Sequence, residues 1–364
     1  MIFEVKKSFL FLVLFVCMGL AAVINYIAYN FSWSFKPPKF DIKAQESLSD
    51  DILTNTSFIS NDGYQHPLKI WYAKNGNHKA IVVCLHGFND YSSSFKSLGK
   101  YLSNHDIKTI AYDQRGFGGT KLAGYWHGGS VMANDLFALV SLIKSQEQNI
   151  PIFVLGSSMG GGVVLKALTS TKLDVDGVIL VAPAIRGRAV MPWYQRTTLW
   201  LAAHIVPWAQ IGGGASIAGR TITPSDNTLV LKNMRKDPMI IKKTIISTAL
   251  GLVDLMDDAL LASNKINTNT LLLYGKKDEV IPPYAMKRMI DSLPKENSHI
   301  KKIFYEEGYH MLLHDLQAKR VLFDINLWIQ NTLIINSKEE KTLHVSLSQK
   351  WTHTYKLIKK RIYS

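Results

Sequence analysis

Ile152-Phe153-Val154-Leu155-Gly156-Ser157-Ser158-Met159-Gly160 is the stretch on which the reading of this chain turns. Its first four residues form an apolar, strand-like run. The residues that follow, Val163-Val164-Leu165-Lys166-Ala167-Leu168, read as a helix. Between them Gly156-Ser157-Ser158-Met159-Gly160 has the form G-x-S-x-G, and a strand–turn–helix context makes that pattern the mark of a nucleophilic serine, Ser158. The turn is tight enough to strain the serine backbone and to lift its hydroxyl clear of the sheet edge. A Cβ two residues before or after would meet the crossing chain, so Gly156 and Gly160 are needed as glycines. An ordinary βα loop is also rich in glycine and serine; the rest of the chain separates the two readings.

Working outward, strands and helices alternate. Ser57–Ser60 and Leu68–Tyr72 flank Asn61-Asp62-Gly63, a turn signal, and read as an antiparallel pair. A strand at Ala80–Leu85, a helix at Tyr91–Ser103, a strand at Lys108–Tyr112 and a helix at Val131–Lys144 precede the Ile152 strand. A helix at Met159–Thr169 and a strand at Gly177–Val181 follow it. Unbroken apolar runs such as Ala80-Ile81-Val82-Val83 suit strands covered on both faces. The alternation predicts an α/β fold with a mostly parallel, doubly wound sheet. It stops after Pro183 and resumes at Thr270–Tyr274, with a helix at Tyr284–Ser292, a strand at Lys302–Tyr305 and a helix from Asp315 to about Gln330. The stretch between reads as an inserted helical cap. The predicted organisation is an anchor at 1–34, a linker at 35–50, a core of 51–183 and 269–332, a cap at 184–268 and a basic tail at 333–364.

A serine hydroxyl needs a base within hydrogen-bond reach and a third group to orient that base. Asp278 lies just past the strand Leu272-Leu273-Tyr274, at the strand end where ligand chemistry gathers in open α/β sheets. Glu279 is the adjacent competitor. His310, in Glu307-Gly308-Tyr309-His310, follows a strand and supplies the base, with His314 as the runner-up. The oxyanion needs two backbone N–H donors. Met159, next after the nucleophile, is one; Phe88, in the loop Leu85-His86-Gly87-Phe88-Asn89-Asp90, is the other. His86 and Gly87 then shape that loop. The glycine-rich turn Asp113-Gln114-Arg115-Gly116-Phe117-Gly118-Gly119-Thr120 lacks a Gly-Lys-Ser/Thr ending and has Lys121 where a dinucleotide fingerprint needs glycine, so it reads as a tight structural turn.

The chain has 364 residues, 47% hydrophobic and 19% charged, with a net charge of +14. No helix-turn-helix, zinc-finger or RNA-binding signature accompanies that charge, which disfavours nucleic acid and leaves an anionic membrane surface or simple solubility; the apolar N-terminal segment favours the membrane over nucleic acid. Cys17 and Cys84 cannot make a disulfide framework. Residues 8–29 are almost continuously apolar, long enough as a helix to cross a hydrocarbon core of ~30 Å. The run is long for a signal peptide and lacks a clean small-x-small site, so it reads as an uncleaved anchor. Lys6 and Lys7 place its start in the cytosol and the catalytic domain outside, against the opposing Lys36, Lys39 and Lys43. The tail, with Lys356, Lys359, Lys360 and Arg361, reads as an amphipathic helix on the membrane or a frayed terminus.

The fragments His86-Gly87-Phe88, Asp113-Gln114-Arg115-Gly116-Phe117-Gly118, Gly156-Ser157-Ser158-Met159-Gly160-Gly161, Leu273-Tyr274-Gly275-Lys276-Lys277-Asp278 and Gly308-Tyr309-His310 give the chain a resemblance to the α/β-hydrolases. More narrowly, it resembles the bacterial monoacylglycerol lipase and lysophospholipase-like branch, often labelled serine aminopeptidase-like hydrolases. The resemblance spans roughly residues 57–330. It implies carboxylic ester hydrolysis through an acyl-serine, without metal or organic cofactor; the substrate does not carry over, and it is the apolar cap and the anchor that point to a lipid-like ester such as a monoacylglycerol or lysophospholipid. Two alternatives stand beside it. A proline-iminopeptidase-like enzyme would use cap carboxylates such as Asp254, Asp257 and Asp258 to hold a substrate amine. An inactive lipid-binding or scaffold protein would have a damaged triad.

Overall fold

The computed structural model describes residues 50–336 apart from 172, 213–215, 218–219 and 295–298. The expected anchor at residues 8–29, the linker up to residue 49 and the basic tail from residue 337 lie outside the described residues. No helix among the described residues is long and apolar enough to cross a membrane.

Three strands open the described chain: β1 (Ile52–Leu53), β2 (Ser57–Ile59) and β3 (Gln65–Trp71). Alternation then sets in with β4 (Ala80–Leu85), α1 (Lys96–Ser103), β5 (Ile107–Tyr112), α2 (Gly129–Gln146), β6 (Ile152–Ser157), α3 (Met159–Ser170) and β7 (Gly177–Val181). An excursion follows, with α4 (Trp193–Ile205), β8 (Gln210–Gly212), β9 (Ser216–Ile217), β10 (Arg220–Thr221), α5 (Thr228–Lys236), β11 (Lys243–Ile245) and α6 (Ile246–Ala262). The chain returns to the sheet with β12 (Thr270–Gly275), α7 (Pro283–Ser292), β13 (Ile300–Tyr305) and α8 (Ala318–Asn336).

Among the described residues one sheet has the order β1-β2-β3-β5-β4-β6-β7-β12-β13. The β1–β2, β2–β3 and β3–β5 pairs are antiparallel, and every pair from β5–β4 through β12–β13 is parallel. Successive side chains of a strand point to opposite faces, and β4 displays both. Ile81, Val83 and Leu85 join a core with Leu136 and Leu139 of α2 and Val163 and Val164 of α3. Ala80, Val82 and Cys84 join a second core with Leu98 and Leu102 of α1 and Val321, Ile325 and Ile329 of α8. Helices therefore cover both faces, which is why β4, β6, β7 and β12 carry no polar alternation. Truncating a buried leucine here, Leu136→Ala for example, costs about 2–5 kcal/mol.

Three expectations change in detail. The segment expected as a helix from Tyr91 opens with a 3-10 turn at Ser92–Phe95 before α1. The last helix starts at Ala318 rather than Asp315; Asp315 lies in the turn before it, its carbonyl accepting the Ala318 N–H and its carboxylate accepting from the Ser225 hydroxyl and the Tyr309 N–H. The excursion between β7 and β12 is not purely helical: β8 pairs antiparallel with β11, and β9 with β10.

Candidate active site

Ser158 sits at the end of β6, where the chain reverses into α3, with φ 51° and ψ −115°. A side chain rarely adopts that backbone, and three hydrogen bonds hold it. The Ser158 N–H donates to Val181 O at 2.9 Å, and its carbonyl accepts from Gly162 N at 3.1 Å and Ala184 N at 2.9 Å. The flanking glycines are needed for space. A Cβ on Gly156 would lie 2.5 Å from Gly160 O, and one on Gly160 would lie 2.2 Å from Leu85 O. Both clashes are with backbone, which cannot swing away.

β12 and β13 bring the other two residues to the same carboxyl edge of the sheet. His310 Nε2 is 3.0 Å from Ser158 Oγ, and His310 Nδ1 is 2.8 Å from Asp278 Oδ2. Asp278 is 2% exposed, so its carboxylate meets the imidazole away from water. Its other oxygen, Oδ1, accepts the Val280 and Ile281 N–H groups at 2.8 Å each. The aspartate thus holds its own turn and the histidine at once. Glu279 has a different partner: its Oε2 accepts Thr223 N–H at 3.0 Å, tying the excursion to the sheet edge. His314 makes no bond to Ser158. Burial pushes its imidazole below the ordinary value, against the pull of Asp90.

The loop after β4 comes close to Ser158: a Cβ on Gly87 would lie 3.4 Å from the Ser158 Cβ. That is ordinary contact, so a side chain at Gly87 would crowd the site rather than break the fold. His86 is fully buried, and burial lowers its imidazole pKa. Gln114 N–H donates to His86 Nε2 at 3.0 Å, which assigns the proton to Nδ1, 2.8 Å from Gly87 O. Gln114 Nε2 also donates to His86 O at 2.8 Å. His86 is therefore a neutral strut of the loop. The Phe88 and Met159 N–H groups have no protein acceptor among the described residues. Gln114 was invisible as a functional residue in the sequence, because its contact is with a residue 28 positions away.

The glycine-rich turn after β5 is structural. Asp113 Oδ1 accepts Ser92 N–H at 2.9 Å and Oδ2 accepts Gly119 N–H at 2.8 Å. Gly118, at φ 58°, leaves no room for a Cβ, which would lie 2.3 Å from Asp113 Oδ2.

Ser158 and His310 open into a cavity of about 440 Å³. The excursion supplies much of its wall through Ile222, Pro224, Met234, Ile240, Ile241, Leu252 and Met256. Phe88, Val280, Ile281, Met311 and Leu313 add apolar surface from the sheet side, and Asn89, Asp90, Ser157, Arg186 and His314 are the polar exceptions. The carboxylates suggested for a substrate amine are engaged elsewhere. Asp254 and Asp257 pair with Arg188 at 2.5 and 2.6 Å, Asp258 pairs with Lys166 at 2.5 Å, and none of the three lines the cavity. No group of side chains suited to holding a metal ion occurs among the described residues.

Residues 76–317 match the family described as serine aminopeptidase, S33. Over 289 residues the chain is 24% identical to a monoglyceride lipase of Rattus norvegicus, which spans 76% of this chain and 90% of the relative. Over 282 residues it is 23% identical to a monoacylglycerol lipase of Mycolicibacterium smegmatis, spanning 76% of this chain and 97% of the relative. It also superposes on a soluble variant of monoglyceride lipase from Saccharomyces cerevisiae, solved in complex with a substrate analog, with a TM-score of 0.63. That match is 21% identical and covers 82% of this chain and 99% of the other.

Proposed function

The chain belongs to the serine aminopeptidase S33 family of α/β-hydrolases, and from that premise we propose that it is a serine ester hydrolase of lipid-like substrates, monoacylglycerols first and lysophospholipids second. The observation that carries the reading is the Ser158–His310–Asp278 relay facing a cavity whose walls are mostly aliphatic. An acyl chain gains about 25 cal/mol per Å² on leaving water for such walls. The relatives whose names record monoglyceride lipases point the same way.

In this reading His310 Nε2 takes the Ser158 proton as Oγ attacks the ester carbonyl carbon. Asp278 holds the imidazole and stabilises the imidazolium that forms. The carbonyl oxygen becomes an oxyanion held by the Phe88 and Met159 N–H groups. His310 then returns its proton to the departing alkoxide, leaving an acyl-serine and a free alcohol. Water repeats the sequence on the acyl-serine and releases the carboxylic acid and Ser158.

We place the substrate at a lipid surface. α4 buries none of its residues fully and exposes Trp193, Tyr194, Trp200 and Leu201, with Trp208 and Ile211 following it. A net charge of +14 favours an anionic surface beneath that apolar face. The uncleaved anchor proposed for residues 8–29 would keep the catalytic domain there, outside the cytosol.

The test is a panel running from short p-nitrophenyl esters to long-chain monoacylglycerol, lysophosphatidylcholine and a prolyl-arylamide, with Ser158→Ala alongside. The expected result is Ser158-dependent hydrolysis favouring long acyl chains. Preference for the arylamide, or activity that survives Ser158→Ala, would overturn it.

A further inference from the structure

Asn89 stands next to the proposed oxyanion donor Phe88 and is bound twice to the excursion over the active site. Its carbonyl accepts the Ile241 N–H at 3.0 Å, and its Nδ2 donates to Thr244 Oγ1 at 2.8 Å. Two residues on, Tyr91 donates its hydroxyl hydrogen to Asp237 Oδ2 at 2.7 Å. The loop carrying Phe88 is thus fastened to residues 237–244 and not only to the sheet.

The backbone explains why this fastening matters. Asp90 N–H donates to Gly87 O at 3.3 Å, closing a turn with Phe88 and Asn89 at its centre. Asn89 has φ 63°, whereas Phe88 is not among the left-handed residues. That combination is a type II turn, whose third position demands a left-handed residue and is filled by glycine or asparagine. The Phe88 N–H lies in the Gly87–Phe88 peptide, whose carbonyl accepts the Asp90 N–H, so the turn that Asn89 completes fixes that peptide plane and with it the aim of the Phe88 N–H. Both bonds that hold Asn89 in place come from the excursion.

We propose that Asn89 is a positioning residue through which β11 of the cap aims the Phe88 N–H at the oxyanion. The inference rests on the ester-hydrolase reading and adds a route by which the cap governs rate. Thr244 lies on β11, opposite Ile211 of β8, and the adjoining Ile246 N–H donates to Ala209 O at 2.9 Å. β8 follows α4, whose exposed aromatic face is the surface proposed to meet lipid. Displacement of α4 and β8 at an interface therefore reaches the oxyanion donor through β11, Thr244 and Asn89.

The experiment compares wild type with Thr244→Val, which removes the hydroxyl acceptor at nearly constant shape, and Asn89→Gly, which keeps the left-handed turn and loses the amide. Thr244→Ser serves as the rescue. Substrates are p-nitrophenyl butyrate, too short to depend on the cap wall, and a long-chain monoacylglycerol. An alkyl trifluoromethyl ketone, which adds to Ser158 and places an oxyanion on its former carbonyl, reads donor alignment directly.

Deleting an oxyanion donor outright costs about a hundredfold to a thousandfold in kcat. A misaimed donor is therefore expected to lower kcat on p-nitrophenyl butyrate roughly tenfold to a hundredfold, with KM within about twofold. Affinity for the ketone should fall by the same factor. The double variant should be no worse than the more affected single, since both remove one bond, and Thr244→Ser should restore the rate. Unchanged kcat and ketone affinity in folded variants, with KM raised only for the long-chain substrate, would overturn the coupling and leave the ester-hydrolase reading intact. A wild-type protein that turned over no ester would overturn both. Far-UV circular dichroism checks folding, and either variant suffices if the other does not fold.

Discussion

His310 Nε2 lies 3.0 Å from Ser158 Oγ although 152 positions separate the two residues in the chain. The sheet closes that gap. β6 ends at the elbow and β13 ends shortly before the histidine loop, with β7 and β12 between them. All of these strands run parallel, so their carboxyl ends lie on one edge. The imidazole meets a hydroxyl that a strained backbone holds out from that edge, and Asp278 fixes the ring from the other side at 2.8 Å.

The strain at Ser158 has a measurable signature. Both Ser158→Ala and Ser158→Gly should lower kcat by about 10⁴-fold or more. Only the glycine variant relieves the backbone, whose φ of 51° and ψ of −115° cost any other residue about 1–3 kcal/mol. Part of that gain is lost to the greater freedom of glycine in the unfolded chain. Ser158→Gly is expected to be more stable than Ser158→Ala by about 1 kcal/mol in urea unfolding. Equal stabilities would mean that the elbow carries no strain.

Asp278 and Glu279 should separate cleanly. Asp278→Asn presents an amide to His310 Nδ1 and favours the wrong tautomer, so kcat should fall by about 10⁴-fold. Glu279→Gln leaves the relay untouched and changes only a bond to Thr223, so kcat should stay within about twofold and stability within about 0.5 kcal/mol. Comparable losses from the two substitutions would remove Asp278 from the orienting role.

The two glycines near Ser158 differ in what they protect. Gly160→Ala would set a Cβ 2.2 Å from Leu85 O and should destabilise the fold by about 3 kcal/mol or more. Gly87→Ala meets the Ser158 Cβ at 3.4 Å, so the protein should fold with nearly its full Tm while kcat drops. Thermal unfolding beside active-site titration reads both; a Gly160→Ala protein of native Tm would contradict the steric account.

Acid sensitivity follows from His127. Burial, with the charge of Arg115 beside it, holds its imidazole down to about 4. Between that value and the ordinary ~6.5, the unfolded chain takes up a proton that the folded chain refuses. The contribution of His127 to stability is therefore fully present above pH ~6.5 and is lost as pH falls toward 4. Urea midpoints from pH 4 to 7 should show a shallower slope in His127→Gln than in wild type. The difference has a ceiling of ~1.4 kcal/mol per pH unit, reduced by the partial exposure of the ring. An unchanged slope would mean that His127 titrates alike in both states.

The features legible along the chain are local or periodic. Gly156 and Gly160 announce the elbow because the clash they avoid is built into a five-residue turn. The buried strands announce themselves because helices cover both faces of the sheet and leave no polar alternation in Ala80–Leu85 or Thr270–Gly275. The order of Ser158, Asp278 and His310 follows from strand ends that a reader can count. Tertiary structure decided among neighbours that look alike in the chain. It turned Asp278 toward the imidazole and Glu279 toward Thr223, and put His310 rather than His314 on the serine. It also set Asp254 and Asp257 on Arg188 rather than in the cavity, and joined Asn89 to Thr244 across 155 positions. Hydrogen bonds of that kind act over about 3 Å between segments that the folded sheet and the excursion between β7 and β12 bring together, so no pattern within either segment records them.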